Sequence, residues 1–101
     1  KKALETRIRS SPANLITRGV KKLYRPERLY RLLSPEDRLI PSQEPAFGLQ
    51  EVELERWEAE LLPRVDGTRT VAELIHVAQR PEHAVYGFLV GMTALRILDR
   101  T

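Results

Sequence analysis

His76 and His83 are the chain's two histidines, and they stand seven residues apart across the Arg80-Pro81 break. Two imidazoles on one helix hold a metal when spaced i, i+4, as in His-Glu-x-x-His, and neither histidine has such a partner. They are read as polar or half-buried surface, and no metal ligand is assigned. Glu51, Glu53, Glu55, Glu58 and Glu60 form the densest carboxylate cluster. Paired-carboxylate catalysis needs two acids converging on a cleft from separate rigid elements. One helix carrying all five does not offer that, so the cluster is read as a solvated face. There is no cysteine, hence no disulfide and no thiolate metal site. The serines and threonines have no histidine at a recognisable spacing, and no Gly-x-Ser-x-Gly, P-loop or Gly-x-Gly-x-x-Gly occurs. No catalytic, cofactor-binding or metal residues are assigned, no cofactor is expected, and the chain reads as a non-enzyme.

Charge is more informative. The net charge is +3, distributed unevenly. Residues 1–50 carry eleven Lys/Arg against five Asp/Glu; residues 51–101 carry six against nine. Arg18, Lys21 and Lys22, followed by Arg25, Arg28 and Arg31, make the candidate interaction surface. A basic half beside an acidic half permits docking to an acidic partner or a homodimer. No apolar run approaches the roughly 20 residues that span a bilayer, and no signal-peptide core follows Lys1-Lys2. The single methionine is Met92. The chain is therefore read as a piece of a longer, cytoplasmic protein with no membrane partner.

These side chains need elements to hold them. Leu4 and Ile8, at i, i+4, suggest a helical extension. Ser11-Pro12 reads as an N-cap with proline at the first helical position. Leu15, Ile16, Val20, Leu23 and Tyr24 then trace an apolar stripe, with Arg18, Lys21 and Lys22 facing away. Gly19 interrupts that helix at about 1 kcal/mol relative to alanine, which suits close packing of another element. Pro26-Glu27 opens a second helix with Leu29, Leu32 and Leu33 inward, Tyr30 alongside, and Arg25, Arg28 and Arg31 opposite. Ser34-Pro35-Glu36-Asp37 is a turn or an abortive helix start. Pro41, Pro45 and Gly48 make residues 38–50 irregular, with Leu39-Ile40 and Ala46-Phe47-Gly48-Leu49 suited to extended segments.

The second half begins near Glu51. Leu54, Trp57, Leu61 and Val65 predict a helix with Glu51, Glu53 and Glu55 in its first turn, disturbed near its end by Pro63. Asp66-Gly67 supplies a turn with positive φ. Thr70 and Glu73 have capping-box spacing at the start of a helix bearing Val71, Leu74, Ile75 and Ala78. Val85, Phe88, Leu89, Met92 and Leu95 mark the longest helix. Within it Gly87 and Gly91, four apart, favour close approach of a neighbouring helix. Arg96-Ile97-Leu98-Asp99-Arg100 reads as a short strand or a fraying end. The expected class is mainly α: a basic helical arm with an irregular or extended linker (1–50) and a tri-helical, winged-helix-like unit (51–101). The last two helices of that unit form a helix-turn-helix pair, with short β segments beside them.

The run Val65-Asp66-Gly67-Thr68-Arg69-Thr70-Val71-Ala72-Glu73-Leu74-Ile75, with Pro81-Glu82-His83-Ala84-Val85-Tyr86-Gly87-Phe88-Leu89 after it, resembles the C-terminal part of PATAN-like bacterial signalling domains. Gly19-Val20-Lys21-Lys22-Leu23-Tyr24 and Pro26-Glu27-Arg28-Leu29 are similar to the helix that precedes it in that family. Residues 13–100 are covered. The chain departs at Arg96, where many relatives have glycine, and this bears on the last helix stop and the wing geometry. The resemblance implies an adaptor or output module that acts through protein contacts.

Two functions are therefore set against each other. One is a non-enzymatic protein-interaction module of a bacterial signalling protein. The alternative is a winged-helix DNA-binding domain, which needs basic side chains at the start of its third helix. That start is Pro81-Glu82-His83, without a lysine or arginine. Arg64, Arg69 and Arg80 near the turns are the obvious phosphate contacts there, a weak electrostatic footprint; the basic face of residues 18–31 is the better nucleic-acid candidate, although it lacks interleaved exposed aromatics beyond Tyr24 and Tyr30.

Overall fold

A computed structural model of the chain describes residues 11–45 and 47–101. The Leu4 and Ile8 pair lies outside the described residues. Helix α1 (Pro12–Leu23) starts where Ser11 Oγ accepts the Asn14 N–H at 3.1 Å, with Pro12 in the first turn. Arg25-Pro26 ends it, and α2 (Pro26–Leu32) follows at once. The turn at Ser34 leads to β1 (Leu39–Pro41). Helix α3 (Arg56–Leu61) runs into a 3-10 turn over Leu62–Arg64, where Pro63 supplies no amide proton. Helices α4 (Val71–Ala78) and α5 (Glu82–Ala94) precede β2 (Leu98–Arg100). The two strands pair antiparallel, with Leu39 opposite Arg100, Ile40 opposite Asp99 and Pro41 opposite Leu98. The described chain is thus mainly helical with one small antiparallel sheet.

Helix α5 is the axis of the fold. Every residue from Val85 to Met92 is buried, and α1, α2, α4 and β2 all pack on it. A helix apolar all round is a core helix, and its own amphipathicity cannot orient it. Its neighbours do that. Trp57 of α3 meets Phe88 edge-on at 5.7 Å, and Tyr30 of α2 meets Tyr86 edge-on at 4.7 Å. Burial raises the Tyr30 and Tyr86 hydroxyl pKa values, with the Glu82 carboxylate as the next cause in each case. One core draws on residues from Ala13 to Leu98.

The ends of the helices are made as the residues require. Thr70 Oγ1 accepts the Glu73 N–H at 3.2 Å and Glu73 Oε1 accepts the Thr70 N–H at 2.9 Å, closing the capping box. Two further N–H groups at the start of α4 are bound from outside: Val71 N–H donates to the Asp37 carbonyl and Ala72 N–H to that of Pro35. The Ser34 turn is therefore a cap for α4. Gly67 takes φ +87°, and a Cβ there would stand 2.7 Å from Ile40 Cγ2. At the end of α5, Ile97 N–H reaches the Met92 carbonyl and Arg96 N–H that of Thr93, both the bonds of a Schellman stop. Arg96 itself takes φ +55° there, so the stop forms without glycine at the position where one is expected.

Three expectations are corrected. In α1 the buried residues are Ala13, Asn14, Thr17 and Val20; Leu15, Ile16 and Leu23 face solvent. The cause is α5, which presents Gly87 and Gly91 to this helix. A Cβ on Gly91 would lie 3.3 Å from Thr17 Cγ2, and one on Gly87 3.9 Å from Lys21 Cγ. The facing side of α1 must therefore be slim, and leucine does not fit there. In α2, Leu29 and Leu33 are buried but Leu32 is exposed. The third concerns the acidic helix, which starts at Arg56 and not near Glu51. A 3-10 turn occupies Leu49–Glu51, with Glu51 Oε2 accepting the Gly48 N–H at 2.9 Å. The chain beyond it is extended, because α1 takes its backbone groups. Ser11 Oγ donates to the Glu51 carbonyl at 2.5 Å and Asn14 Oδ1 accepts the Glu53 N–H at 3.1 Å. The suggested extended segment near Phe47 is accordingly a bend leading into that turn.

Candidate interaction surface

The six proposed basic residues divide. Arg18 and Lys22 lie on the outer side of α1, while Arg25, at the N-cap of α2, and Arg28 and Arg31 within it are all exposed. Arg28 places its guanidinium 4.2 Å from the centre of the Tyr24 ring, a cation–π contact across the α1–α2 elbow. Lys21 is different. It stands four residues after Thr17, on the same inward side of the helix. Its Nζ lies 2.5 Å from Glu58 Oε2 and 3.8 Å from Glu55 Oε2. Lys21 thus serves the interior, and the expectation that it faces away from the core is corrected.

Its partner also departs from expectation. Glu58 is fully buried, not part of a solvated face. Its Oε1 accepts the Glu55 N–H at 2.8 Å while Oε2 takes the lysine, so both carboxylate oxygens are bound. Burying a carboxylate is costly unless it is paired and hydrogen-bonded, and here it is both. Sequence spacing missed this pair. Its signal was the matching four-residue step on two helices: Thr17 and Lys21 on α1 against Gly87 and Gly91 on α5. A lysine stem fits over glycine where a branched side chain would not.

Beside this pair, Tyr24, Leu29, Trp57 and His83 line a groove of about 310 Å³. Lys21 holds both of its neighbouring carboxylates, so the groove offers paired charges. His83 lies at its rim and His76 on the outer side of α4, both exposed. Among the described residues no three His, Asp or Glu side chains gather as metal ligands would, and no helix is long and apolar enough to cross a membrane.

Large apolar side chains stand in the open among the cations. Leu23 is 79% exposed, Leu15 55%, Leu32 46% and Ile16 40%. Leu23 and Leu32 share one shallow depression with Arg25, Arg28, Arg31 and the single carboxylate Glu27. The spacing of these residues is that of a buried stripe, yet they are outside. The helix has two stripes, and the slimmer one is inside. No protein-family model, no curated protein and no solved structure matches this chain, so its functional reading rests on this surface.

Proposed function

We propose that the chain is a non-enzymatic protein-interaction module of a cytoplasmic bacterial signalling protein, as its resemblance to PATAN-like domains implies. The contact surface is the outer side of α1 and α2. The observation that carries this reading is the set of exposed leucines interleaved with arginines across the elbow. Protein interfaces combine an apolar centre with arginine-rich surroundings. Phosphate backbones need cations but gain little from an isolated leucine. The burial of α5 weighs on the same side. A helix-turn-helix reader inserts its third helix in a groove, and here α1 and α2 cover that helix.

A photoreactive amino acid placed at Leu23 or Leu32 in living cells tests the reading. The expected result is protein adducts at both sites and none at the exposed Ala72 of α4, with no retention on random duplex DNA at low salt. Tight DNA binding with a steep salt slope would replace this reading by the winged-helix alternative. Absence of protein adducts at both leucines would refute it.

A further inference from the structure

The outer stripe of α1 has a defined shape. Leu15, Gly19 and Leu23 repeat every four residues, with Ile16 beside them. Such a row is one of the ridges by which helices interlock. Gly19 is a gap in it: apart from its chain neighbours and its own helix backbone, no atom among the described residues lies within 4 Å of where its Cβ would stand. Glycine in mid-helix costs about 1 kcal/mol against alanine, and among the described residues nothing uses the space it leaves. A notch between two exposed leucines is a place for a second helix to cross closely.

Charge selects the occupant. Residues 12–32 contain one carboxylate, Glu27, and the cations Arg18, Lys22, Arg25, Arg28 and Arg31 all lie on the exposed side. A second copy docking face to face about Gly19 would set Arg18 and Lys22 against their own duplicates, which is repulsive. The chain's first ten residues carry four cations and one carboxylate, also the wrong sign. The acidic segment of another copy is engaged within its own fold: Glu55 and Glu58 near Lys21, Glu60 at 3.3 Å from Arg56.

We propose that the Leu15–Gly19–Leu23 stripe of α1 seats an acidic amphipathic helix of a partner protein, which crosses α1 at Gly19 and sets its carboxylates against Arg18, Lys22 and the arginines of α2. This rests on the interaction reading above and names the chemistry of its partner.

The test uses two synthetic helical peptides with the same leucine stripe, one flanked by glutamates and its twin by lysines. Binding to the full chain is followed by fluorescence anisotropy. The glutamate peptide is expected to bind at least about tenfold more tightly than the twin. Gly19→Leu, which fills the notch, and Leu23→Glu, which reverses the local chemistry, should each weaken it by about tenfold or more. Leu23 is exposed and a Cβ at Gly19 meets open space, and a circular-dichroism melt confirms that each variant folds. Equal binding of the twins, or unchanged binding by Gly19→Leu, overturns the proposal. The adducts from the photoreactive side chain at Leu23 separate the two levels. Adducts mapping to acidic amphipathic helices support the acidic-helix partner, and adducts on basic or extended protein segments reject it while the interaction reading stands. If neither Leu23 nor Leu32 yields a protein adduct, the interaction reading itself fails.

Discussion

The two sides of α1 invert the usual distribution of side chains. The inner side carries Ala13, Asn14, Thr17, Val20 and the stem of Lys21; the outer side carries Leu15, Ile16 and Leu23. A simple transfer scale would turn the helix over, since each leucine withdrawn from water contributes about 2 kcal/mol. Two local requirements decide against that. Gly87 and Gly91 on α5 admit only slim side chains, and the extended segment at Glu51–Glu53 needs the hydrogen bonds that Ser11 and Asn14 supply. Burial is thus decided by fit and by polar satisfaction, and the larger apolar residues remain outside.

The contrast can be broken from either side. The largest effect is expected within, at the ion pair. Lys21→Met leaves the buried Glu58 carboxylate without its cation and should cost about 3 kcal/mol, the lower part of the usual range because the ammonium is 36% exposed. Urea denaturation measures this. The double change Lys21→Met with Glu58→Leu should recover part of the loss, but not the bond to the Glu55 N–H. If the single variant matches the parent, the pair does not hold the inner side. Next comes Gly91→Leu, which drives a side chain into Thr17 and should cost about 2 to 3 kcal/mol by the same assay.

On the outer side the sign reverses. Gly19→Ala meets open space and should raise stability by about 0.5 to 1 kcal/mol, read as an upward shift of the thermal midpoint. A loss of stability there would mean that Gly19 is packed after all. Leu23→Ser should change stability by less than about 0.5 kcal/mol while abolishing the adducts formed at Leu32, a separation between fold and contact.

The capping box of α4 lies on neither side and provides a control through pH. Hydrogen bonds from the Thr70 N–H and hydroxyl hold the Glu73 carboxyl below the ordinary glutamate value. A depressed carboxylate stabilises the fold at pH above its unfolded-state value, and that contribution fades as pH falls through the folded-state value. Glu73→Ala should therefore lower the urea midpoint at neutral pH, with the difference vanishing in acid. A difference that persists in acid would trace to packing of the side chain.

Much of this was legible from residues alone. Ser11, Pro26, Asp66-Gly67 and the Thr70–Glu73 box set their helix ends and turn within a few positions of themselves, so spacing reveals them even where the fold adds distant bonds. Leu39-Ile40 and the Ile97–Arg100 end read as extended, but their antiparallel pairing and register were set by the fold and not by spacing. The failures at Leu15, Ile16, Leu23 and Glu58 share another origin. Each was decided by a partner far along the chain: a glycine on α5, a lysine on α1. Periodicity finds a stripe but cannot choose between two stripes on one helix. The cluster Glu51 to Glu60 failed for the same reason, since Ser11 and Asn14 pull its first part out of helical geometry.

The anchoring of α1 has a mechanical corollary. Its first turn grips the 51–53 segment through Ser11 and Asn14, and Lys21, near its last turn, grips Glu58 on α3. The rod is therefore tethered near both ends to a single stretch of chain, like a lever with two linkages to one track. A load applied between the tethers, at Gly19, that tilts the rod must drag residues 51–58 along or strip a lysine from a dry carboxylate. Push and response are coupled by covalent continuity over a handful of residues, with no need for motion to pass through the α5 core.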